Sequence, residues 1–190
     1  MKELIKRSAA AALMIALGDY VLLKMGNPLG PILFSLGLLA VCYLELQLFT
    51  GKCGFLFESG LKIKDLGIML GINLLAGYAA GLFFSFLDPE VVTAAAGKVA
   101  SWSFSFAFFG KAVLCGVIMY VAVKVFRKGS PLGILFGIPL FIFCGFQHCI
   151  ANVITLGVAR TFDASLLLAV AGNFLGSLLV SWLTCGEKKA

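Results

Sequence analysis

Long stretches without a charged residue dominate this sequence. Residues 129–159 form a run of 31 in which His148 is the single ionisable side chain, and residues 66–87 and 164–186 form uncharged runs of 22 and 23. Three further runs, at 8–23, 25–44 and 99–123, hold at most one charged residue each. A membrane-spanning α-helix needs about 20 predominantly apolar residues. The sequence therefore predicts six transmembrane helices.

The composition leaves little room for anything else. Of the 190 residues, 61% are hydrophobic and 13% charged, whereas a soluble domain is about half apolar and a quarter charged. An ordinary soluble enzyme is excluded, and residues 1–190 are predicted to form a single transmembrane channel domain. The net charge of +6 resides at the ends of apolar runs, which indicates membrane topology rather than nucleic-acid binding.

The basic residues of the short loops predict the orientation, because cytoplasmic loops carry an excess of Lys and Arg. With six spans, both termini share one side with the loops after spans two and four. That side holds ten basic residues, and the other side holds three. We expect a multi-pass protein of the plasma (inner) membrane with both termini cytoplasmic. The ten are Lys2, Lys6, Arg7, Lys62, Lys64, Lys124, Arg127, Lys128, Lys188 and Lys189, and the three are Lys24, Lys98 and Arg160.

Two of the runs contain polar and helix-breaking residues where a span should be apolar. Residues at membrane depth that break a helix are tolerated where the backbone lines a cavity enclosed by protein. We therefore predict that spans two and five are broken at the membrane midplane. The residues concerned are Glu45, Gln47, Thr50, Gly51, Lys52 and Gly54 in span two, and Pro139, Gly145, Gln147, His148 and Asn152 in span five.

The two breaks occupy matching positions. Gln47 and Gln147 are 100 residues apart, and so are Asn73 and Asn173. Because each half would contain three spans, an odd number, the halves would run through the membrane in opposite directions. Paired broken helices in such a 3+3 inverted repeat are the expected sign of a transport pathway at the midplane.

His148 is the main candidate for chemistry, since an ionisable residue inside a membrane is a functional hypothesis by default; the alternative is a hydrogen-bonded core histidine. Thr50 offers a hydroxyl at the other break. Lys98, placed in an outer loop before span four, either attracts anions or is a solvated loop lysine. Asn73, Asn152 and Asn173 are expected mainly to form hydrogen bonds that join helices.

The six cysteines lack CxxC spacing and are predicted to be buried small hydrophobic residues, so neither a metal nor a cofactor is expected. They are Cys42, Cys53, Cys115, Cys144, Cys149 and Cys185.

The break motifs resemble those of a known family. Leu48-Phe49-Thr50-Gly51 is similar to the signature in the broken second helix of the formate/nitrite transporter family. Gly145-Phe146-Gln147-His148-Cys149-Ile150-Ala151-Asn152 is similar to the signature in its broken fifth helix. Asn73 with Gly77, Lys98, Leu114-Cys115 and Gly172-Asn173 fall at other positions expected for the family.

The resemblance implies an aquaporin-like fold and a homopentamer with one pore in each protomer. Thr50 and His148 would form the central polar pair, Asn173 would support them in the substrate pathway, and Lys98 would attract anions. Two hydrophobic constrictions would comprise Phe34, Leu38, Leu48, Phe49, Val117 and Phe141. The chain departs from many members at Gln47, often acidic, and at Lys52, often Asn. Its N-terminal segment is short for the family, so gating by a long cytoplasmic N-terminal helix is not expected.

Together these features predict a channel or proton-coupled transporter, not an enzyme, for small monovalent weak-acid anions such as formate, nitrite or hydrosulfide, with protons as partners. Two other classes stay open. A neutral-solute channel of aquaporin type would carry Asn-Pro-Ala at each break, but the one Asn-Pro here, Asn27-Pro28, lies in a loop. A membrane thiol-redox protein could use Cys144 and Cys149, whose spacing is not CxxC.

Overall fold

The structure, a computed structural model, describes residues 1–26 and 28–184. These residues form α-helices and no strand. The helices are α1 Lys2–Met25, α2 Leu29–Tyr43, α3 Phe49–Lys52, α4 Ile63–Leu87, α5 Pro89–Ala100, α6 Phe106–Arg127, α7 Leu132–Phe143, α8 Cys149–Val158 and α9 Ser165–Thr184, with a 3-10 turn at Cys53–Phe55 after α3. Asn27, Cys185, Lys188, Lys189 and the end of the run 164–186 lie outside the described residues.

Four helices, α1, α4, α6 and α9, are long and apolar enough to cross a membrane. Helices α2, α7 and α8 are apolar but shorter. Large apolar side chains cover the outside of the molecule: Leu75, Phe86, Phe136 and Trp182 are each 70% exposed or more. A monomeric soluble protein rarely exposes such a surface. The fold is therefore that of an integral membrane protein.

The apolar run 99–123 was predicted to form one membrane-spanning helix, but it is divided between two helices. Helix α5 ends at Ala100 and α6 begins at Phe106. Ser105 caps the start of α6, because its hydroxyl oxygen accepts a hydrogen bond from the backbone N–H of Phe108 at 3.2 Å.

Helix α5 was not predicted from the sequence, although Asp88-Pro89 is a strong signal for the start of a helix. Asp88 accepts a 3.0 Å hydrogen bond from the Glu90 N–H. A hydrogen bond from Lys24 at 2.8 Å lowers the pKa of the Asp88 carboxyl below its ordinary value.

Glycines set the closest helix contacts. A Cβ on Gly176 of α9 would lie 2.0 Å from the Val113 carbonyl oxygen of α6, and one on Gly81 of α4 would lie 2.2 Å from the Ile154 carbonyl oxygen of α8. These two helix pairs can therefore meet backbone to backbone only because the residues are glycine. By contrast, a Cβ on Gly67 or Gly71 would meet nothing within 4 Å, and that face of α4 is open.

Helices α2 and α7 end in the same way. After α2, Leu46 donates its N–H to the Val41 carbonyl at 2.8 Å, and after α7, Phe146 donates to the Phe141 carbonyl at 2.9 Å. The residue before each donor has left-handed backbone, with φ of 53° at Glu45 and 65° at Gly145. This is the glycine-type helix termination, but one of the two positions carries a glutamate.

The difference predicts opposite effects of two small substitutions on stability. Glu45→Gly removes a side chain from a left-handed position and should raise the free energy of unfolding, whereas Gly145→Ala should lower it, each by about 1 kcal/mol. A Cβ on Gly145 meets nothing within 4 Å, so Gly145→Ala tests the backbone conformation without a change in packing. Thermal unfolding in detergent measures both. Equal shifts of the same sign would contradict the assignment.

Candidate functional site

The two segments that follow α2 and α7 bring Thr50 and His148 into contact. Thr50 lies in the short helix α3, and His148 is the N-cap of α8. Although the two are 98 residues apart, the Thr50 Oγ1 atom lies 2.8 Å from the His148 Nε2 atom. Both side chains are buried, with 1% and 2% of their surface exposed. The residues predicted as the central polar pair are thus a hydrogen-bonded pair in the interior of the bundle.

Two asparagines fix the starts of α3 and α8. Asn73 of α4 accepts a hydrogen bond from the Phe49 N–H at 2.8 Å, and Asn173 of α9 accepts one from the Cys149 N–H at 2.8 Å. The Asn73 amide donates to the Gln47 carbonyl at 3.1 Å and the Asn173 amide to the Gln147 carbonyl at 2.7 Å.

Each amide also donates to the helix that begins its half of the chain. Asn73 donates to the Ser8 carbonyl of α1 at 2.7 Å, and Asn173 to the Ala112 carbonyl of α6 at 2.8 Å. Both side chains are completely buried. Their oxygen and both amide hydrogens are therefore occupied by backbone groups, which an isolated break in a helix would leave unsatisfied.

The hydrogen bonds of His148 fix its tautomer. Its Nδ1 atom accepts the backbone N–H of Ala151 at 3.1 Å and so caps α8. A nitrogen that accepts an N–H carries no hydrogen itself, so in the neutral ring the hydrogen resides on Nε2. The Nε2–H then donates to the Thr50 hydroxyl oxygen, and the hydroxyl hydrogen of Thr50 is left to donate elsewhere.

His148 lines a cavity of about 300 Å³ that we call the Lys98 cavity. Phe34 and Phe141 also line it, and their rings meet edge to face with centroids 6.2 Å apart. The Phe141 ring centroid lies 5.8 Å from that of His148. The apolar rings thus lie directly beside the polar pair. The remaining polar or charged residues in its wall include Asp19, Lys98, Lys111, Gln147 and Asn152.

Lys98 lies in the last turn of α5 rather than in a loop. Its Nζ donates to the Thr155 hydroxyl oxygen at 3.2 Å and forms an ion pair with Asp19 at 3.5 Å. The Thr155 hydroxyl donates to the second Asp19 oxygen at 2.9 Å. Asp19 and Thr155 are site residues that were not predicted from the sequence, although the lone charge of Asp19 in an apolar run was a usable signal.

A second cavity, of about 540 Å³, lies next to Leu38 and Leu48, and we call it the Lys52 cavity. Arg7, Lys52 and Arg127 contribute three cationic side chains to its wall, and Glu45 contributes one carboxylate. Within the part of the chain that the structure describes, Arg7 forms an ion pair with Glu3 at 2.8 Å, and neither Lys52 nor Arg127 forms one. This wall is therefore predominantly positive.

The other predicted constriction residues are placed differently. Phe49 is buried and stacks on Phe174 of α9 with centroids 6.3 Å apart. Val117 is half-buried in α6. Neither is among the lining residues of the two cavities. The structure thus brings Phe34, Leu38, Leu48 and Phe141 to the cavity walls and directs Phe49 into the packing between helices.

The cysteines vary in exposure. Cys53, Cys115 and Cys149 are buried, as predicted, but Cys42 is only half-buried, and Cys144, at the end of α7, is exposed. In residues 1–26 and 28–184, no group of three or more His, Cys, Asp or Glu side chains could hold a metal ion. The chemistry available at the site is hydrogen bonding and charge, supplied by Thr50, His148 and the cations of the two cavities.

Comparisons with known proteins agree with this arrangement. No protein-family model matches the chain. An uncharacterized transporter, YrhG of Bacillus subtilis (strain 168), is 27% identical over 186 residues, which cover 84% of this chain and 66% of that protein, so the match spans slightly less than two thirds of the relative.

Two solved structures have a similar fold. An FNT family ion channel superposes on 93% of this chain and 84% of its own, with a TM-score of 0.70 and 19% identity. A pentameric formate channel with formate bound superposes on 96% of this chain and 92% of its own, with a TM-score of 0.66 and 19% identity. The fold of the chain is that of the FNT formate channels, which confirms the resemblance that the two break motifs predicted.

Proposed function

We propose that this protein forms a membrane channel or proton-coupled transporter for small monovalent anions of weak acids, such as formate, nitrite or hydrosulfide. The observation that carries the proposal is the hydrogen bond between Thr50 and His148 at 2.8 Å. It lies deep in an apolar bundle; the Lys98 cavity reaches His148 itself, and the Lys52 cavity reaches Leu48 and Gly51, which flank Thr50 closely in the sequence.

The path across the membrane follows from the helix order. We propose six crossings: α1, α4, α6 and α9 each span once, while α2 with α3 and α7 with α8 each form a broken span. The paired hydrogen bonds of Asn73 and Asn173 support a 3+3 inverted repeat of aquaporin-like design. The distribution of basic residues supports an orientation in a plasma (inner) membrane with both termini in the cytoplasm. The Lys52 cavity then opens inward and the Lys98 cavity outward.

The large apolar side chains in the walls of the two cavities select against charge. A bare anion that passes Phe34 and Phe141, or Leu38 and Leu48, loses its water at a cost of several kcal/mol. The neutral conjugate acid pays far less, and burial itself favours the neutral form of the acid. Lys98 raises the concentration of the anion at the outer side, and the cations of the Lys52 cavity do so at the inner side.

The polar pair offers hydrogen bonds to the dehydrated solute. The hydroxyl hydrogen of Thr50 donates to an oxyanion or to the acid derived from it, and the Nε2–H of His148, which donates to the Thr50 oxygen at 2.8 Å, becomes a second donor when it turns from Thr50 to the solute. A proton reaches the anion directly from His148 or through bound water. Because Nδ1 accepts the Ala151 N–H in the neutral ring, transfer from His148 requires the ring first to take up a proton at Nδ1 and release this N–H; loss of the Nε2 proton to the anion then leaves a neutral ring.

We also propose a homopentamer with one pore in each subunit. The formate channel of similar fold is pentameric. The open small-residue face of α4 at Gly67 and Gly71 and the exposed apolar residues along the long helices give such an assembly surfaces that bury well against a neighbour.

Neutral-solute conduction is the second candidate, and a thiol-redox activity is a weaker one. Three cations around the Lys52 cavity favour an anion over an uncharged solute. Cys144 is exposed while Cys149 is buried, an arrangement that disfavours a working dithiol.

Stopped-flow measurements on proteoliposomes separate these functions. We expect flux of formate, nitrite and hydrosulfide at least tenfold above empty liposomes, increasing as the pH falls from 8 to 5 because more of each solute is protonated. Chloride, whose conjugate acid is not formed in water, serves as the matched control and should be carried at least tenfold more slowly. Flux of glycerol or water without flux of the weak acids would instead support the neutral-solute channel.

A further inference from the structure

Asp19 is a carboxylate in the last third of the membrane-spanning helix α1, and the proposed function does not use it. It is the single charged residue of the run 8–23, and none of its surface is exposed. Charged residues at such depth are rare and are paired when they occur. Its position therefore calls for a partner and a role.

The partner is Lys98, the residue proposed to attract the anion. Asp19 of α1, Lys98 of α5 and Thr155 of α8 form a closed triangle of contacts at 3.5, 3.2 and 2.9 Å. Thr155 follows His148 by seven residues on α8, about two helical turns or about 10 Å. Asp19, Lys98 and His148 all contribute to the wall of the same cavity.

The pair is loose enough for exchange. A charge-assisted hydrogen bond is about 2.7–2.9 Å long, whereas the Lys98 Nζ lies 3.5 Å from Asp19 and keeps 33% of its side chain exposed. An anion in the cavity can therefore reach the ammonium group. The charge of this ammonium group is already partly offset by the Asp19 carboxylate, which is the same chemical group that formate carries.

We infer that Asp19 is a positioning residue that weakens the hold of Lys98 on small monovalent anions, so that an anion drawn into the cavity is also released toward His148. A conduction pathway requires such a balance, since its sites must bind well enough for entry and weakly enough for exit. The inference rests on the proposed function for its physiological meaning, while the competition for Lys98 is measurable as binding alone.

The binding test uses a tryptophan already in the cavity. Trp102 lines the Lys98 cavity, and the chain has two tryptophans, so Trp182→Phe leaves Trp102 as the single fluorescent reporter. In that background, sodium formate is titrated into the detergent-purified oligomer. We expect Asp19→Asn, which keeps an oxygen acceptor for Thr155 but removes the charge, to lower the Kd of formate about tenfold.

Two controls separate this role from a structural one. Asp65→Asn makes the same change in the first turn of α4, away from the cavity, and should leave the Kd unchanged. In a Lys98→Gln background, Asp19→Asn should have no effect on the Kd, because Asp19 acts through Lys98. An unchanged Kd in Asp19→Asn, or the same fall with Lys98→Gln present, would overturn the inference.

Flux measurements keep the inference distinct from the proposed function. Asp19→Asn should also lower the formate concentration that gives half-maximal flux at least twofold. It should reduce the maximal rate as well, because formate is released more slowly. If the parent protein carries no formate but Asp19→Asn still tightens formate binding, the proposed function fails and the competition stands. Asp19→Ser is the second neutral variant. If both variants fail to fold, Asp19 has a structural role and the inference is wrong.

Discussion

Replacing His148 with phenylalanine is expected to slow formate flux about 100-fold or more. The substitution removes the Nε2–H that faces Thr50 at 2.8 Å and puts a third apolar ring beside those of Phe34 and Phe141, which line the same cavity. A solute that loses its water without a compensating donor pays about 3 kcal/mol, which corresponds to about a 100-fold change in rate. Stopped-flow flux in proteoliposomes between pH 5 and 8 measures it.

His148→Asn is the matched variant, because asparagine, like the neutral histidine, offers one acceptor and a donor. Its oxygen is a good N-cap acceptor for the Ala151 N–H, and its amide hydrogens can donate toward Thr50. Asparagine does not titrate. Flux within about threefold of the parent therefore indicates that His148 supplies a hydrogen bond, while a loss as large as that of His148→Phe indicates proton exchange.

Folding must be measured beside flux. His148→Phe removes the side-chain cap of α8, which costs about 1 kcal/mol, so the oligomer should survive with a slightly lower Tm. If a folded His148→Phe protein carries formate like the parent across this pH range, the site is assigned wrongly. Thr50 and Lys98 would then have to be examined as the selective residues.

The segments that follow α2 and α7 could be marked from the sequence because their signal is local. Polar and glycine residues interrupt apolar runs there, and such residues are uncommon in a membrane span unless backbone groups are freed. The spacing of 100 residues then relates Asn73 to Asn173. The structure adds what each asparagine does: both hold the first N–H of the helix that lies 24 residues before them.

The partner of Lys98 could not be predicted, since it lies 79 residues away on another helix. Helix periodicity tells which residues share a face of one helix, but not which faces of two helices meet. Helix α5 was missed for a different reason. Its 12 residues are too short and too polar for a membrane span, and only the Asp88-Pro89 start signal marks it. The left-handed backbone at Glu45 carries no signal at all, because the residue is not glycine.

Asn173→Leu is expected to destabilise the protein by about 4 kcal/mol, a large share of the 5–15 kcal/mol that keeps a typical domain folded. Leucine fills a similar volume but leaves the Cys149 N–H and the Gln147 carbonyl without the partners that they have at 2.8 and 2.7 Å. Each unsatisfied buried group costs about 1–3 kcal/mol. Thermal unfolding in detergent measures the loss.

The comparison with two other asparagines decides what Asn173 is for. Asn73→Leu removes the equivalent contacts at α3 and should cost about as much. Asn152→Leu removes a single bond, to the Gln147 Oε1 at 2.9 Å, and should cost about 1 kcal/mol, because the half-buried Gln147 side chain can turn toward the cavity. If Asn173→Leu unfolds no more easily than Asn152→Leu yet loses formate flux, Asn173 contacts the solute directly and its amide does not hold the start of α8.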